Sequence, residues 1–239
     1  MPKAGCSLTE CEDAIGLNSR GRRFAVADGA TEAFDSKTWA KLVTRSWVRV
    51  DPPALSVEDF VPLVRDLGAR LQSRWKKKSL PWYAEEKARQ GSFTAFVGVQ
   101  FYLAETPKSW KAIAVGDSCL VQKRGQEIVK AFPISDVTLF GSNPILVPSL
   151  APLQDRMAEN FATSDGAFEV NDEFLLLTDA VAAWYLDSEK PESSKSLAMS
   201  LLASSRYPEL ENHFQDLRAR GEMRNDDVTI VRILVREHA

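Results

Sequence analysis

The stretches that decide the fold are SFTAFVGVQFY at residues 92–102 and KAIAVGDSCLVQK at residues 111–123. Both are rich in Val, Phe, Ile and Ala, a composition typical of β-strands. Thr106, Pro107 and Lys108 lie between them and predict a turn. Because a short connection joins antiparallel neighbours, we expect two adjacent strands of an antiparallel sheet.

The rest of the chain contains apolar segments of both strand and helix period. Short apolar runs predict four more strands, at residues 22–27, 127–132, 173–177 and 227–235. Apolar residues spaced three and four apart predict five helices, at residues 35–50, 56–75, 180–186, 194–204 and 208–220. Residues 140–153, with several Pro and Gly, are predicted to form a loop. Since strands and helices do not alternate regularly, we predict an α+β fold with a largely antiparallel sheet, in one domain over residues 1–239.

The composition excludes several classes of function. Thirty Lys and Arg residues against 33 Asp and Glu residues give a net charge of -3, without the basic excess common in nucleic-acid-binding proteins. The apolar runs are shorter than the ~18 residues of a membrane helix, and the start of the chain shows no signal-peptide pattern. Three cysteines without a CxxC pair are typical of a reducing compartment. We therefore predict a cytoplasmic monomer that binds neither nucleic acid nor membrane.

The chain has only two histidines, His213 and His238. A Ser-His-Asp or Cys-His catalytic group needs a well-placed imidazole, and the sequence contains no GxSxG or HExxH motif. The nucleotide-binding motifs GxxxxGK[ST] and GxGxxG do not occur either. If the chain is an enzyme, carboxylates or a metal held by carboxylates must carry the reaction.

Aspartates follow three of the predicted strands directly. FAVADG at 24–29, IAVGDS at 113–118 and FLLLTDA at 174–180 each run an apolar strand into an aspartate, and NDDVTI at 225–230 opens the last strand with two. Antiparallel strands can bring such ends to one rim, where the carboxylates repel one another unless a cation neutralises them. With a further pair before residue 14, the acids concerned are Glu12, Asp13, Asp28, Asp117, Asp179, Asp226 and Asp227.

An all-oxygen site of this kind selects a hard divalent cation such as Mg²⁺ or Mn²⁺. Two such ions that share a bridging carboxylate could hold a water between them, lower its pKa and direct it at phosphorus. The pattern therefore predicts phosphoester hydrolysis. Each acid also has a purely structural explanation, because Asp-Gly and Gly-Asp form turns, Asp179 can cap a helix, and Asp226 with Asp227 can lie in a solvated loop.

Six short blocks appear in the order of a known family. They are CEDA at 11–14, FAVADGA at 24–30, GS at 91–92, AVGDS at 114–118, DEFLLLTDA at 172–180 and DDVT at 226–229. The ordered set resembles the metal-dependent protein phosphatases, the type 2C Ser/Thr phosphatases, and is more similar to compact bacterial members than to eukaryotic ones. The resemblance implies a four-layer α-β-β-α sandwich of two antiparallel sheets flanked by helices, with a metal pair at one end.

The resemblance also implies roles for the acids. Asp28, Asp179 and Asp226 are the residues implied to be catalytic through the metals. Asp28 would bridge two Mg²⁺ or Mn²⁺ ions, the backbone carbonyl of Gly29 would bind one of them, and Asp179 and Asp226 would bind the other. Asp117 matches a position that contributes to a third ion in bacterial members.

Two more acids have implied roles near the N-terminus and before the last strand. Glu12 or Asp13 would bind a metal directly or orient its waters. Asp227 stands where the family more often has Asn, so we expect it to support the ligands rather than bind the metal.

The implied activity is hydrolysis of phosphoserine and phosphothreonine in proteins by a water that bridges two Mg²⁺ or Mn²⁺ ions. The partners implied are a phosphorylated protein substrate and a Ser/Thr kinase. Two alternatives stay open: a catalytically silent phosphatase-like module that binds a phosphoprotein or regulates a kinase, and a small-molecule phosphatase.

The chain departs from the family pattern at three places that bear on these alternatives. Ala180 replaces the glycine of the T-D-G block, and Ala30 stands where eukaryotic members have a histidine. Residues 5–10 contain no arginine for the substrate phosphate, so the substrate-binding residue is not assigned; Lys3 and Arg20 are candidates.

Overall fold

The strands form two antiparallel sheets. The computed structural model describes residues 1–77, 81–141 and 144–237, so His238 lies outside the described residues. The strands are β1 (Ala14–Asn18), β2 (Arg23–Gly29), β3 (Phe93–Tyr102), β4 (Ser109–Val115), β5 (Cys119–Arg124), β6 (Glu127–Phe132), β7 (Val147–Pro148), β8 (Ala162–Ala167), β9 (Glu173–Leu177) and β10 (Ile230–Leu234). The first sheet has the order β1-β2-β3-β4-β8 with β7 also paired to β3, and the second has the order β10-β9-β5-β6.

The helices lie outside the sheets. They are α1 (Ser36–Trp47), α2 (Val57–Lys76), α3 (Trp82–Gln90), α4 (Gln154–Glu159), α5 (Asp179–Leu186), α6 (Glu192–Ala203) and α7 (Tyr207–Ala219). The start of α2 shows the local signals that set a helix boundary, because Ser56 accepts a hydrogen bond from the Asp59 N–H and Glu58 lies in the first turn. Among the described residues, no helix is both long enough and apolar enough to cross a bilayer.

Apolar side chains fill the three spaces between four layers. Trp39 and Trp47 of α1 and Phe60 of α2 pack against the outer face of the first sheet. Val97, Trp110 and Phe174 lie between the two sheets. Leu175, Trp184 and Phe214 lie between the second sheet and helices α5 to α7. The predicted α+β class and the α-β-β-α sandwich implied by the resemblance are confirmed.

The predicted strand at 111–123 is wrong as a single element. The chain leaves the first sheet after Val115, turns through Gly116, Asp117 and Ser118, and enters the second sheet at Cys119. Gly116 has a φ of +97°, and a Cβ there would lie 2.8 Å from the Cβ of Ala95. Only glycine combines that backbone conformation with so close an approach. The apolar composition continues through the turn because both strands are buried.

Five elements were not predicted from the sequence. They are β1, β7, β8, α3 and α4, and β7 lies within the predicted loop at 140–153. β8 consists of ATSDGA, whose small and polar residues lack the composition of a strand, and it forms through backbone pairing with β4. The last strand was predicted to begin at residue 227, but β10 begins at Ile230. Residues 226–229 instead form the hydrogen bonds described for the candidate site below.

Candidate active site

Strand register in the first sheet brings two aspartates to the same end. Asp28, the penultimate residue of β2, is paired with Ala95 of β3. The next residue of β3, Phe96, is paired with Val115, the last residue of β4. Asp117 follows two residues later, so it lies at the end of the sheet where β2 finishes.

The second sheet reaches the same end. Leu177, the last residue of β9, is paired both with Cys119 at the start of β5 and with Ile230 at the start of β10. Asp179 therefore follows β9, and the acids at 226–227 precede β10, beside the turn at 116–118 that joins the two sheets. The antiparallel topology gathers acids that are far apart in the sequence.

Asp28 and Asp179 lie close enough for each to influence the pKa of the other. Burial, followed by the charges of Asp13, Asp179, Asp226 and Asp117, raises the pKa of Asp28 well above its ordinary value. Burial also raises the pKa of Asp179, against the opposing charge of Arg224. The two carboxyl groups cannot both be ionised here without an added cation.

Asp117 belongs to the same electrostatic group. Its side chain is buried in the turn between β4 and β5. Burial and the charge of Asp179 raise the pKa of Asp117 to about 6. The charge of Asp226 acts in the same direction, while that of Arg224 opposes it.

Asp13 approaches the group from the N-terminal segment. Its Oδ2 accepts a hydrogen bond from the Thr178 hydroxyl at 3.1 Å. Its Oδ1 is buried without a hydrogen-bond partner among the described residues. Burial, with a contribution from the charge of Asp227, raises the pKa of Asp13 to about 7. An unpartnered buried carboxylate oxygen is a free ligand position.

Asp227 holds the N-terminal segment in place. It is buried, and its two carboxylate oxygens accept hydrogen bonds from the backbone N–H of Lys3 at 2.8 Å and of Glu12 at 2.7 Å. Glu12 in turn accepts a hydrogen bond from the Ser36 hydroxyl at the start of α1. Both oxygens of Asp227 are therefore used in positioning Glu12 and Asp13, and the alternative of a solvated loop does not hold for Asp227.

Gly29 and Asp226 complete the predicted set. A Cβ at Gly29 would lie 3.0 Å from the backbone carbonyl oxygen of Glu12, so glycine permits the N-terminal segment to approach β2 closely. The carboxylate of Asp226 accepts a hydrogen bond from the Asp227 N–H at 2.9 Å, and its backbone carbonyl accepts one from Arg218. Its charge raises the pKa of Asp28, as described above.

Arg224 is the charged residue at the candidate site that the sequence did not indicate. Its Nη2 donates a hydrogen bond to Oδ2 of Asp179 at 2.7 Å. The one indication in the sequence is its position two residues before Asp226. A single arginine in a polar stretch belongs to no periodic pattern or motif that would identify it. The structure places this cation among the acids.

A cavity of about 290 Å³ opens beside these groups. Asp28, Asp117, Asp179 and Arg224 line its polar side. Gly141 and Leu146, from the predicted loop at 140–153, also line it. The cavity therefore combines carboxylates with one guanidinium, which is the charge pattern needed to hold cations and a phosphate together.

Of the two basic residues considered for the phosphate, Lys3 lies beside the residue that follows Ala30, and Arg20 lies far from the cavity. The Lys3 ammonium donates to the Thr31 hydroxyl at 3.3 Å. Arg20 lies in the turn between β1 and β2, at the opposite end of β2 from Asp28, about 17 Å away along the strand. Arg20 therefore cannot reach the cavity. Ala30, which stands where eukaryotic members have a histidine, lines the cavity.

The donor set fits hard divalent cations. It consists of carboxylates with raised pKa values, one free buried oxygen on Asp13 and one backbone carbonyl at Gly29, all of which are oxygen donors. In the conformation of the described residues, no three Asp, Glu, His or Cys side chains are arranged as a finished metal site. The hydrogen bond from Arg224 holds the Asp179 carboxylate in another pairing.

An α-β-β-α sandwich with acids gathered at one end defines a class of metal-dependent phosphatase folds. The family model described as Protein phosphatase 2C matches residues 7–219 of the chain, so the chain belongs to this family. The resemblance seen in the sequence is thereby confirmed. Among curated protein sequences, the chain has no significant match.

Solved structures of low sequence identity share the fold. PppA, described as a key regulatory component of T6SS in Pseudomonas aeruginosa, is 16% identical with a TM-score of 0.53, over 94% of this chain and 90% of that one. The catalytic domain of serine threonine protein phosphatase PstP, in complex with 2 manganese ions, is 15% identical with a TM-score of 0.57, over 98% and 96%. The photosystem II phosphatase PBCP is 15% identical with a TM-score of 0.59, over 99% and 96%.

Proposed function

We propose that the chain hydrolyses phosphoserine and phosphothreonine in proteins with two Mn²⁺ or Mg²⁺ ions. The observation that carries the proposal is the position of Asp28, half-buried at the cavity among the charges of four other aspartates from separate segments of the chain. A fold has no structural reason to gather so many like charges beside a cavity, because their repulsion destabilises it. Membership of the protein phosphatase 2C family supports the same reaction.

The residues proposed to hold the ions come from five segments of the chain. Asp28 and the Gly29 carbonyl are proposed for one side of the pair, and Asp179 and Asp226 for the other. Glu12 or Asp13 completes the pair, and Asp117 is proposed for a third ion. When bound, such ions supply charge neutralisation at the phosphate and a nucleophilic water of lowered pKa.

Arg224 is proposed to bind the substrate phosphate. Its guanidinium already lies in the cavity beside Asp179, and it is 46% exposed there. A planar guanidinium forms paired hydrogen bonds to phosphate oxygens. This assignment accounts for the missing arginine in residues 5–10.

The test is hydrolysis of p-nitrophenyl phosphate and of a phosphoserine peptide by purified protein with Mn²⁺. We expect both substrates to be turned over, with activity lost in Asp28→Asn and in Asp179→Asn. Asp165→Asn is the matched control, because Asp165 is an exposed carboxylate on β8, outside the site. Activity that survives in a double variant of Asp28 and Asp179 would refute the assignment. Activity on one small phosphate ester but on no phosphopeptide would instead identify a small-molecule phosphatase.

A second candidate function is a regulatory module that binds phosphoprotein without turnover. The ion pair between Arg224 and Asp179 favours this alternative, since a cation of the protein itself already pairs with a side chain that is proposed to bind the metal. The structural neighbour PppA is itself described as a regulatory component. Binding of the phosphopeptide without hydrolysis at any Mn²⁺ concentration would support this alternative.

A further inference from the structure

A groove between α1 and α2 carries a row of cations. The groove has a volume of about 520 Å³. Lys41, Arg45 and Arg49, from α1 and the turn after it, line one side, and Arg74 of α2 faces them. Among the described residues no carboxylate lines the groove. It is separate from the cavity that holds Asp28 and Arg224.

The four cations have no partners in the described part of the chain. None of them forms an ion pair or a hydrogen bond through its side chain, whereas Arg70 on the same helix α2 pairs with Asp66 at 2.6 Å. The whole chain carries a net charge of -3, so the groove is a local reversal of the overall charge. Such a reversal concentrates an anionic partner at one place on the surface.

We propose that this groove binds an acidic segment of the phosphoprotein substrate, an inference that rests on the function proposed above. The cations at 41, 45 and 49 recur every four residues, which spaces them about 6 Å apart along a helix. In an extended peptide, alternate side chains on one face are about 6.6 Å apart. An extended segment with acidic residues at alternate positions therefore matches the row.

The helix that lines the groove begins beside the segment that carries Glu12 and Asp13. The hydroxyl of Ser36, the first residue of α1, donates a hydrogen bond to Glu12. Lys37, one turn before Lys41, donates to the backbone carbonyl of Thr9 at 2.6 Å, next to the same segment. From there the helix leads away for about 18 Å to the groove's far end. One substrate chain can therefore place its phosphoresidue in the site and its acidic segment in the groove.

The lining favours a peptide over other polyanions. Leu42 and Val50 line the groove together with the cations, and Thr38 and Ser46 add hydroxyl groups. No aromatic side chain of the described residues lines it, so it lacks the stacking surface typical of single-stranded nucleic-acid sites. The groove is also concave, whereas a lipid surface requires a flat or convex face.

The test compares two phosphoserine peptides of equal length, one with acidic residues at alternate positions and one with the matching amides. We expect the acidic peptide to have a KM about five- to tenfold lower at low salt, with kcat unchanged. The double variant Arg45→Glu/Arg49→Glu should abolish that difference and leave p-nitrophenyl phosphate hydrolysis unchanged. Arg20→Glu/Arg65→Glu is the matched control, because it makes the same charge change at exposed arginines outside the groove.

Equal KM values for the two peptides would overturn the proposal. The proposal would also be overturned if the control variant lost the KM difference to the same extent as Arg45→Glu/Arg49→Glu. Tighter binding of duplex nucleic acid or of phosphatidylserine vesicles than of the acidic peptide would overturn the choice of partner. Fluorescence anisotropy with the unphosphorylated acidic peptide separates this proposal from the proposed function. If nothing is hydrolysed but this peptide still binds, and Arg45→Glu/Arg49→Glu removes that binding, the groove is supported while the catalytic assignment fails.

Discussion

The guanidinium of Arg224 lies 2.7 Å from the carboxylate of Asp179, and the two residues are 45 positions apart in the sequence. Asp179 begins α5, and Arg224 precedes the acids before β10. The pair joins a proposed metal ligand to the proposed phosphate-binding residue. Because Arg224 pairs with a side chain that is proposed to bind the metal, we expect metal binding and phosphate binding to be coupled through Arg224.

Replacing Arg224 should separate these two effects. In Arg224→Ala we expect KM for p-nitrophenyl phosphate to rise by roughly tenfold or more, because charge-assisted hydrogen bonds contribute about 1.5–3 kcal/mol. Mn²⁺ should bind the same variant more tightly, since the competing cation has been removed; calorimetric titration of the metal-free protein measures this. Arg220→Ala is the control, because Arg220 pairs with Glu222 at 2.8 Å on the surface nearby. Unchanged Mn²⁺ affinity in Arg224→Ala would contradict the coupling.

Asp227 should control the position of the N-terminal segment. Asp227→Ala leaves the backbone N–H groups of Lys3 and Glu12 without their acceptors, so we expect a loss of about 1–3 kcal/mol in the free energy of unfolding. We also expect earlier proteolysis near the N-terminus and a fall in kcat larger than any change in KM. Asn225→Ala provides the comparison, since Asn225 accepts only from the exposed Ala4 N–H at 2.7 Å. If both variants behave alike, the positioning role of Asp227 is wrong.

The metal-free protein should become less stable as the pH rises from about 4 to about 7. Burial raises the pKa of Asp117 to about 6 and that of Asp13 to about 7, while the unfolded chain ionises near its ordinary value. The folded state therefore binds more protons than the unfolded state in this window, and its stability falls with pH. Thermal unfolding with a chelator at pH 5 and pH 7.5 measures the effect.

Asp117→Asn should weaken that pH dependence and raise the stability at pH 7.5, because it removes one repelling charge. Asp136→Asn is the control, since Asp136 is exposed and its backbone and side-chain hydrogen bonds from Thr138 lower its pKa. Mn²⁺ should restore the stability of the parent protein at pH 7.5. A parent protein whose stability rises between pH 5 and pH 7.5 under these conditions would contradict the electrostatics described above.

Gly116 should be intolerant of a side chain. Gly116→Ala places a Cβ 2.8 Å from that of Ala95 at a φ of +97°, so we expect a destabilisation of about 1–3 kcal/mol and reduced activity through a displaced Asp117. Gly125→Ala is the matched comparison, because Gly125 has a φ of +61° with no neighbour within 4 Å of the added atom. We expect Gly125→Ala to lower the free energy of unfolding by about 1 kcal/mol without loss of activity. Chemical denaturation measures both variants.

Much of the fold could be predicted from local patterns. The spacing of apolar residues identified α1 and α2 because each helix buries one face against the core. The apolar composition of β3 identified it as a strand because nearly all of its residues are buried. The strand at 111–123 was predicted as one element because composition does not change where the chain passes between sheets. The single domain, the monomeric state and the cytoplasmic location stay predictions, as do the metal-binding roles of the acids.

The amino-acid sequence alone determined most of the strands and helices, and that an aspartate follows each of three apolar runs, because these properties depend on neighbours within a few residues. Tertiary structure alone decided which acids meet, which of them pair with Arg224, and that Asp227 supports Glu12 instead of facing the cavity. The bond from Lys3 to Asp227 spans 224 positions. Contacts of that length depend on how the sheets pack and on register, and no local pattern of residues encodes them.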